Sequence, residues 1–503
     1  MILLFASLST GYCETYDCHP RKPRKPVKTR LKIDKLNETD LNITLSETPV
    51  RLKPLLTINS GTIPEEATDS VFTARFFSSI GVRKIHTANL FGNFDIYKMY
   101  PSASSDPLDS DSYNFSESDK IFRFISDNGF EPLFWLGNSF GRLAIPSLMT
   151  ERKNLIEACV EVIRHFREGK YNGFRIPFKS VEIWREPDAE EYWPGYFTDF
   201  KSFFLTLLKR LQGAFPDIGF GGPGFYVKNP SDRKLNNRIR EFLRYLKKNN
   251  TKLDFFSWQC FPDHPIDLFK KCRMIESILK SENLQDMKTT LSAWSIPEIG
   301  DAGKLSGHFR AAMLTACWAI LQDTSVNDAV LLRGTEKEED FPKKYDLLDS
   351  NRSPETLSVA YAFFSLVSEC TNRMAISVEP LSTNSPIDSL SAVPLGTTSV
   401  QLFRPRETDY INSMKMNEGC KLKPLWMVAA EDRKSGLVRL LIANLGEQSF
   451  NCNLMVTKFI NSRPTTLKIR ELAAESMLIK TQALNEPVFQ INPVSIMLVD
   501  IEK

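Results

Sequence analysis

The chemistry in this sequence concentrates in one short segment, VEIWREPDAEEYW at residues 181–193. Glu186 stands there between Arg185 and Pro187, two residues after Trp184 and seven before Trp193. A carboxyl set beside tryptophan and proline is desolvated. Burial disfavours its charged form, raises its pKa toward neutrality and keeps a proton available for donation, which is the work of a general acid. The plainer reading is a rim glutamate held in a salt bridge. Two further segments have a similar texture: SWQCF at 257–261, with Trp258 and Gln259, and LSAWS at 291–295, with Ala293 and Trp294. Trp184, Trp258 and Trp294 each close an apolar run. Any one of them reads first as core, but three at equivalent positions point to platforms for a ring-shaped ligand in a cleft.

These positions acquire meaning from the elements around them. From residue 54 onward, short apolar runs alternate with longer amphipathic stretches. Eight runs predict strands: 55–59, 82–87, 132–136, 181–184, 218–221, 253–258, 289–294 and 329–333. Eight stretches predict helices: 69–80, 118–128, 153–166, 197–215, 234–248, 265–280, 307–321 and 354–370. Several runs are apolar on consecutive residues, as in a parallel sheet covered on both faces. Eight alternations make a (β/α)8 barrel over residues 54–370, an α/β fold whose functional groups gather at the C-terminal ends of the strands. An open doubly wound sheet would call for a phosphate-binding glycine fingerprint after the first strand, and GTIPEEA does not supply one. Beyond residue 371 the helical period stops and strand-length runs predict a β-sandwich over 371–503.

The remaining composition narrows the function. The chain has 503 residues, with 64 Lys+Arg against 61 Asp+Glu, a balance that argues against nucleic acid as a partner. Its longest apolar run, 311–321, is far shorter than the ~20 residues of a membrane span. Nine scattered cysteines without a Cys-x-x-Cys pair, and five dispersed histidines, argue against a metal site and suggest mostly buried free thiols, with Cys13 and Cys18 as one candidate bridge. No cofactor fingerprint stands out. Residues 1–53 read as a signal-like apolar start followed by a polar arm, so secretion is the expected address. Within the arm, RKPRKPVKTR supplies basic residues at 21–30 that read either as solvated chain or as a polyanion contact.

The fourth-strand segment resembles the W-N-E-P signature of the retaining glycosidase clan. More closely, the chain resembles glycoside hydrolase family 39, the β-xylosidase and α-L-iduronidase group. The resemblance runs through GVRKIHTANLFGNFDIYK, DKIFRFISDNGFEPLFWLG, VEIWREPDAEEYWPG, IGFGGPG, DFFSWQCFP and TLSAW, and on into YDLLDSNRSPETLSVAYAFF. It implies a TIM barrel with a β-domain, a glycan or glycoside ligand and a double-displacement mechanism, in which two carboxyls ~5 Å apart act as acid/base and nucleophile. The acid/base role falls on Glu186. The nucleophile position falls on Ala293, which has no nucleophile. Asparagine is replaced by Arg185, the histidine after the sixth-strand Ser-Trp by Gln259, and the family's Arg-x-His reads His86-Thr87-Ala88.

The resemblance therefore implies a glycosidase scaffold whose retaining machinery is dismantled: a pseudoenzyme that keeps a carbohydrate-binding cleft lined by His86, Trp184, Arg185, Trp193, Trp258, Gln259 and Trp294. The competing reading is an active hydrolase. There Glu186 works with a relocated acid (Asp263, Glu298 or Asp301) in an inverting scheme, or with an acetamido group of the substrate. A third reading is an adhesive protein that makes its contacts through the basic arm or β-domain. Arg185 fits the carboxylate of a uronate, or else pairs with a nearby acid such as Asp188 or Glu190.

Overall fold

The protein is described from a computed structural model, in which the described residues are 39–61, 63, 67–88, 92–138, 148–296, 299–300, 303–304, 306–335, 346–349, 353–380, 425–446, 449–457, 466–473, 476–484 and 487–502. Eight parallel strands form the barrel: Thr57–Asn59, Lys84–His86, Glu131–Leu136, Ser180–Ile183, Gly219–Gly221, Phe255–Gln259, Lys288–Trp294 and Val326–Leu331. The ring closes because the eighth strand pairs Val330 with Thr57 of the first, while the fifth and sixth meet at Gly221 and Phe255. The helices Ala67–Ser79, Ser116–Asp127, Met149–Arg167, Phe197–Ala214, Arg233–Lys248, Pro265–Ser281, Gly307–Leu321 and Thr356–Glu369 follow the strands in turn.

The helices show why these segments fold as they do. In Arg233–Lys248 the buried residues Leu235, Ile239, Phe242, Leu243 and Leu246 recur every three or four positions, so one stripe faces the barrel. Asp232 starts that helix by accepting hydrogen bonds from the backbone N–H groups of Lys234 and Leu235, at 2.8 and 3.2 Å. Gly307–Leu321 has no such stripe and is buried on every side from Arg310 onward. It lies between the barrel wall and the second sheet, where an all-round apolar helix belongs. Its Trp318 ring stacks on Phe364 at 4.4 Å between centroids and meets Tyr361 edge-on at 5.6 Å.

The second domain is a nine-stranded sheet built mostly of antiparallel pairs. Strand Leu425–Glu431 shows how it is used. Leu425, Met427 and Ala429 enter the sheet's own sandwich-like core, whereas Trp426, Val428 and Ala430 join the barrel's core. Period-two alternation thus gives one strand two apolar faces, each with its own partner.

Residues 1–53 do not form a polar arm throughout. Thr39–Arg51 is a strand in the middle of the second sheet, antiparallel to Asn372–Pro380 and parallel to Phe450–Val456. Its pattern is a strand's: Leu41, Ile43 and Leu45 are buried while Asn42, Thr44 and Ser46 between them are less so. The signal was present in LNITLS, masked by the polar residues of alternate positions. The sheet also gains a strand at Ser476–Leu484 that the sequence reading does not anticipate. The basic residues 21–30 lie outside the described residues, as do Cys13, Cys18 and Cys420. The other six cysteines are free and buried. No described helix is long and apolar enough to cross a membrane.

A central strand cannot be removed as an arm can. A chain beginning at Leu52 is expected to lose the cooperative unfolding of the second sheet and to accumulate as insoluble protein, since the deletion strips one side from both neighbouring strands. A chain beginning at Glu38, which keeps this strand, is the control, and thermal melts of the two truncations check the statement.

Candidate active site

The site is assembled at the end of the fourth barrel strand. Trp184 and Glu186 both adopt the left-handed backbone region, with φ of 64° and 40°, an uncommon conformation for residues other than glycine. Main-chain hydrogen bonds hold them there. The Trp184 N–H donates to Leu136 O at 2.9 Å, Gly224 N–H to Trp184 O at 3.1 Å, and Glu186 N–H to Gly224 O at 3.0 Å. The kink sends Trp184 inward and Glu186 to the rim. A glycine at 224 leaves room for the side chains that gather here. A Cβ there would stand 2.7 Å from Gln259 Nε2, 3.0 Å from Glu182 Oε1 and 3.1 Å from Ser292 Oγ.

Gly224 therefore marks where strands four, six and seven converge. Its backbone pairs with Arg185 and Glu186, and the side chain of Gln259 lies against it. Gln259 is in turn the register partner of Ala293, whose carbonyl accepts from the N–H of Cys260 at 3.1 Å. Glu186, Arg185, Gln259 and Ala293 thus lie together at the C-terminal face, as the barrel reading expects.

Glu186 is half-buried, and its carboxyl is pushed up to about 7. Burial is the main cause, helped by the charges of Asp188 and Glu191 and opposed by Arg185. Desolvation outweighs the neighbouring cation, so the carboxyl is protonated over much of the range in which a general acid operates. Arg185 is also half-buried. Its guanidinium lies 5.4 Å from the Trp135 ring centroid and 5.9 Å from that of Tyr192.

Below the rim lies a pair absent from the sequence reading. Glu182, four residues before Glu186, accepts a 2.8 Å contact from His86 Nε2, and both side chains are almost wholly buried. Burial alone would raise the Glu182 carboxyl. The contact with His86, aided by the hydroxyls of Ser257 and Ser292, more than offsets it and holds the group below the usual range. A glutamate between Val181 and Ile183 in a buried strand was the available signal. His86 is accordingly held by the barrel interior rather than presented at the rim. Its Nδ1 atom and Arg185 Nε are buried with no hydrogen-bond partner among the described residues.

The tryptophans require a correction. Trp184, Trp193, Trp258 and Trp294 are all at most 2% exposed and pack in the core instead of offering an open face to a ring. Trp184 lies against Trp193 and Phe203, with centroids 5.8 and 5.6 Å away, and its Nε1–H donates to Tyr192 O. Trp294 packs edge-on against Trp318. Large rings at strand ends bury more apolar area by filling the space between strand and helix layers than by facing water. Of the relocated acids, Asp263 is exposed on the loop after strand six. Glu298 and Asp301 lie outside the described residues.

With this geometry in place, comparison with known proteins is informative. The sequence profile of glycosyl hydrolases family 39 matches residues 78–290, from the first barrel helix into the seventh strand. No curated protein matches the chain in sequence. A glucosidase from Croceicoccus marinus is similar in structure, with a TM-score of 0.68 and 15% identity, covering 92% of this chain and 99% of that one. A family 39 β-xylosidase from Caulobacter crescentus superposes with a TM-score of 0.59 and 14% identity over 92% and 99% of the two chains. A family 39 enzyme from Xanthomonas axonopodis pv. citri gives 0.61 and 11% over 92% and 97%. The likeness to family 39 read from the sequence holds, and so does the barrel-plus-sheet fold.

Two measurements follow from the site's electrostatics. The folded protein holds the Glu186 proton up to about pH 7, whereas the unfolded chain releases it near 4.5, so stability falls as pH rises between those values. Glu186→Gln removes that loss. Its advantage over the native chain in thermal melts is expected to grow from pH 4.5 to 7 and then level off, at about 2 kcal/mol. His86→Leu leaves Glu182 buried without its partner, so its carboxyl either stays charged at a desolvation cost or takes up a proton; the expected loss is about 3–5 kcal/mol in denaturant unfolding, and adding Glu182→Leu recovers most of it.

Proposed function

We propose that this chain is a glycosidase-family protein that keeps a carbohydrate-binding cleft at the barrel mouth and has lost retaining hydrolysis. One observation supports the reading: Ala293 lies at the end of strand seven beside Gln259, at the position to which the family resemblance assigns the nucleophilic carboxylate, and it carries only a methyl group. Glu182 does not replace it. That carboxylate is committed to His86 and sealed below the rim, whereas a nucleophile must meet the anomeric carbon. Loss of a covalent nucleophile typically costs ~10⁴ to 10⁶ in turnover.

A second reading has a specific observation in its favour. Glu186 retains a raised carboxyl suited to acid catalysis, so an inverting or substrate-assisted hydrolase would still find its proton donor in place. It then needs either a base for water, which Asp263, Glu298 or Asp301 would supply, or a substitute for the nucleophile, which an acetamido group of the substrate would supply.

Hydrolysis of aryl β-xylosides, β-glucosides, β-galactosides and α-iduronides separates the two. The expected result is a silent native chain, with turnover appearing in Ala293→Glu. Azide is expected to raise the rate of the native chain on an activated aryl glycoside by entering the space at Ala293. Native turnover that collapses in Glu186→Gln would overturn the proposal in favour of the second reading.

A further inference from the structure

We propose that Asn114 is an acceptor for N-linked glycosylation, on the loop that enters the helix Ser116–Asp127. The inference is independent of the reading of the barrel mouth. It takes with it the secreted address expected from residues 1–53.

Five Asn-x-Ser/Thr triplets in which x is not proline occur in the chain, at Asn37, Asn42, Asn114, Asn249 and Asn351. The motif alone does not choose among them, but their surroundings do. Asn42 is half-buried within the strand Thr39–Arg51, and its Oδ1 accepts from Asn453 Nδ2 on the neighbouring strand at 3.1 Å. Asn249 closes the helix Arg233–Lys248. Its Nδ2, the atom that would take the sugar, donates to Tyr245 O at 2.8 Å, and the Thr251 hydroxyl of that triplet is turned to Asn249 O at 3.1 Å. Asn37 and Asn351 lie outside the described residues.

Asn114 differs in each respect. Its neighbours Tyr113 and Phe115 stack on one another, with centroids 5.3 Å apart and planes 5° apart, and Phe115 lies on the buried ring of His165 at 3.6 Å. With both neighbours turned to the same side and inward, the side chain between them points outward, and Asn114 is exposed. Its backbone N–H donates to Met99 O at 2.9 Å, which anchors the loop. Its Oδ1 accepts from the Ser116 N–H at 3.2 Å and from the Ser116 hydroxyl at 2.8 Å. The hydroxyl that completes the motif therefore holds the carboxamide oxygen against the chain. Nδ2 makes no hydrogen bond among the described residues and faces outward.

The donor is an oligosaccharide carried on a polyprenyl diphosphate and delivered by a transferase of the secretory lumen. The bond from the anomeric carbon to the diphosphate oxygen breaks, and a bond from that carbon to Nδ2 forms. Nδ2 gives up one proton and the lipid diphosphate leaves. The product is still an amide, so Oδ1 keeps both contacts with Ser116. A bulky, hydrated glycan on an exposed nitrogen displaces no internal hydrogen bond, whereas at Asn249 it would disturb the one that closes a helix.

The test expresses the full chain in cultured animal cells and isolates it from cells and medium together. Treatment with peptide-N-glycosidase in heavy-oxygen water then marks every formerly glycosylated asparagine as heavy aspartate, which peptide mass spectrometry locates. The label is expected at position 114 in most chains, above that at positions 42 and 249. Asn114→Gln and Ser116→Ala are each expected to remove that label and to lower the mass of the chain by one glycan. Ser116→Thr, which keeps the hydroxyl, is expected to retain both. Thermal melts establish first that the three variants fold. An unlabelled Asn114 in the native chain, a label that survives Ser116→Ala, or a label at position 42 or 249 that exceeds the one at 114 overturns the inference.

Discussion

The clasp that Gly224 makes on the fourth strand governs the whole site. Three main-chain hydrogen bonds, linking Leu136, Trp184, Glu186 and Gly224, hold two bulky residues in left-handed conformations that neither would choose alone. That kink reverses the direction of successive side chains. Trp184 turns into the layer between strand and helix, and Glu186 emerges two residues later at the rim with its carboxyl only half solvated. Relaxed to an extended strand, the segment would expose the tryptophan and send the glutamate elsewhere. The absence of a side chain at Gly224 also lets Glu182, Ser292 and Gln259 approach one another, so the same glycine shapes the rim and the layer beneath it.

The electrostatics of the two layers differ because their solvation differs. Glu182 and Glu186 lie on one strand, four residues apart, with opposite shifts. The deeper carboxylate stays charged because His86 is 2.8 Å away and hydroxyls surround it. The shallower one tends toward neutrality because its nearest cation, Arg185, is turned to aromatic rings and does not offset desolvation. Burial is common to both; the partner decides the sign. This division keeps a proton donor at the mouth while the negative charge of the interior is contained.

The barrel was legible because its signals are local. The strand and helix periods depend on each segment's own pattern, and the runs 132–136, 289–294 and 307–321 differ from the observed elements by two residues or fewer at either end. The acid at Glu186 was legible for a similar reason, since its desolvating neighbours are adjacent in the chain. What failed depended on distant partners. Thr39–Arg51 reads as polar until Asn372–Pro380 and Phe450–Val456 are placed beside it, more than 300 residues later in the chain. The tryptophans at strand ends suggested platforms because sequence gives a ring's position along a strand, not which layer it fills; that depends on partners such as Phe203 and Trp318. Glu182 was overlooked in turn because its partner, His86, lies two strands away.

Much of the apolar packing lies away from the rim, in the helix Gly307–Leu321 of the barrel's core and in strands such as Leu425–Glu431 that give one face to each core. Arg185 alone would stabilise ionised Glu186 and weaken it as an acid. Held over the Trp135 and Tyr192 rings, its charge does not outweigh the desolvation of Glu186.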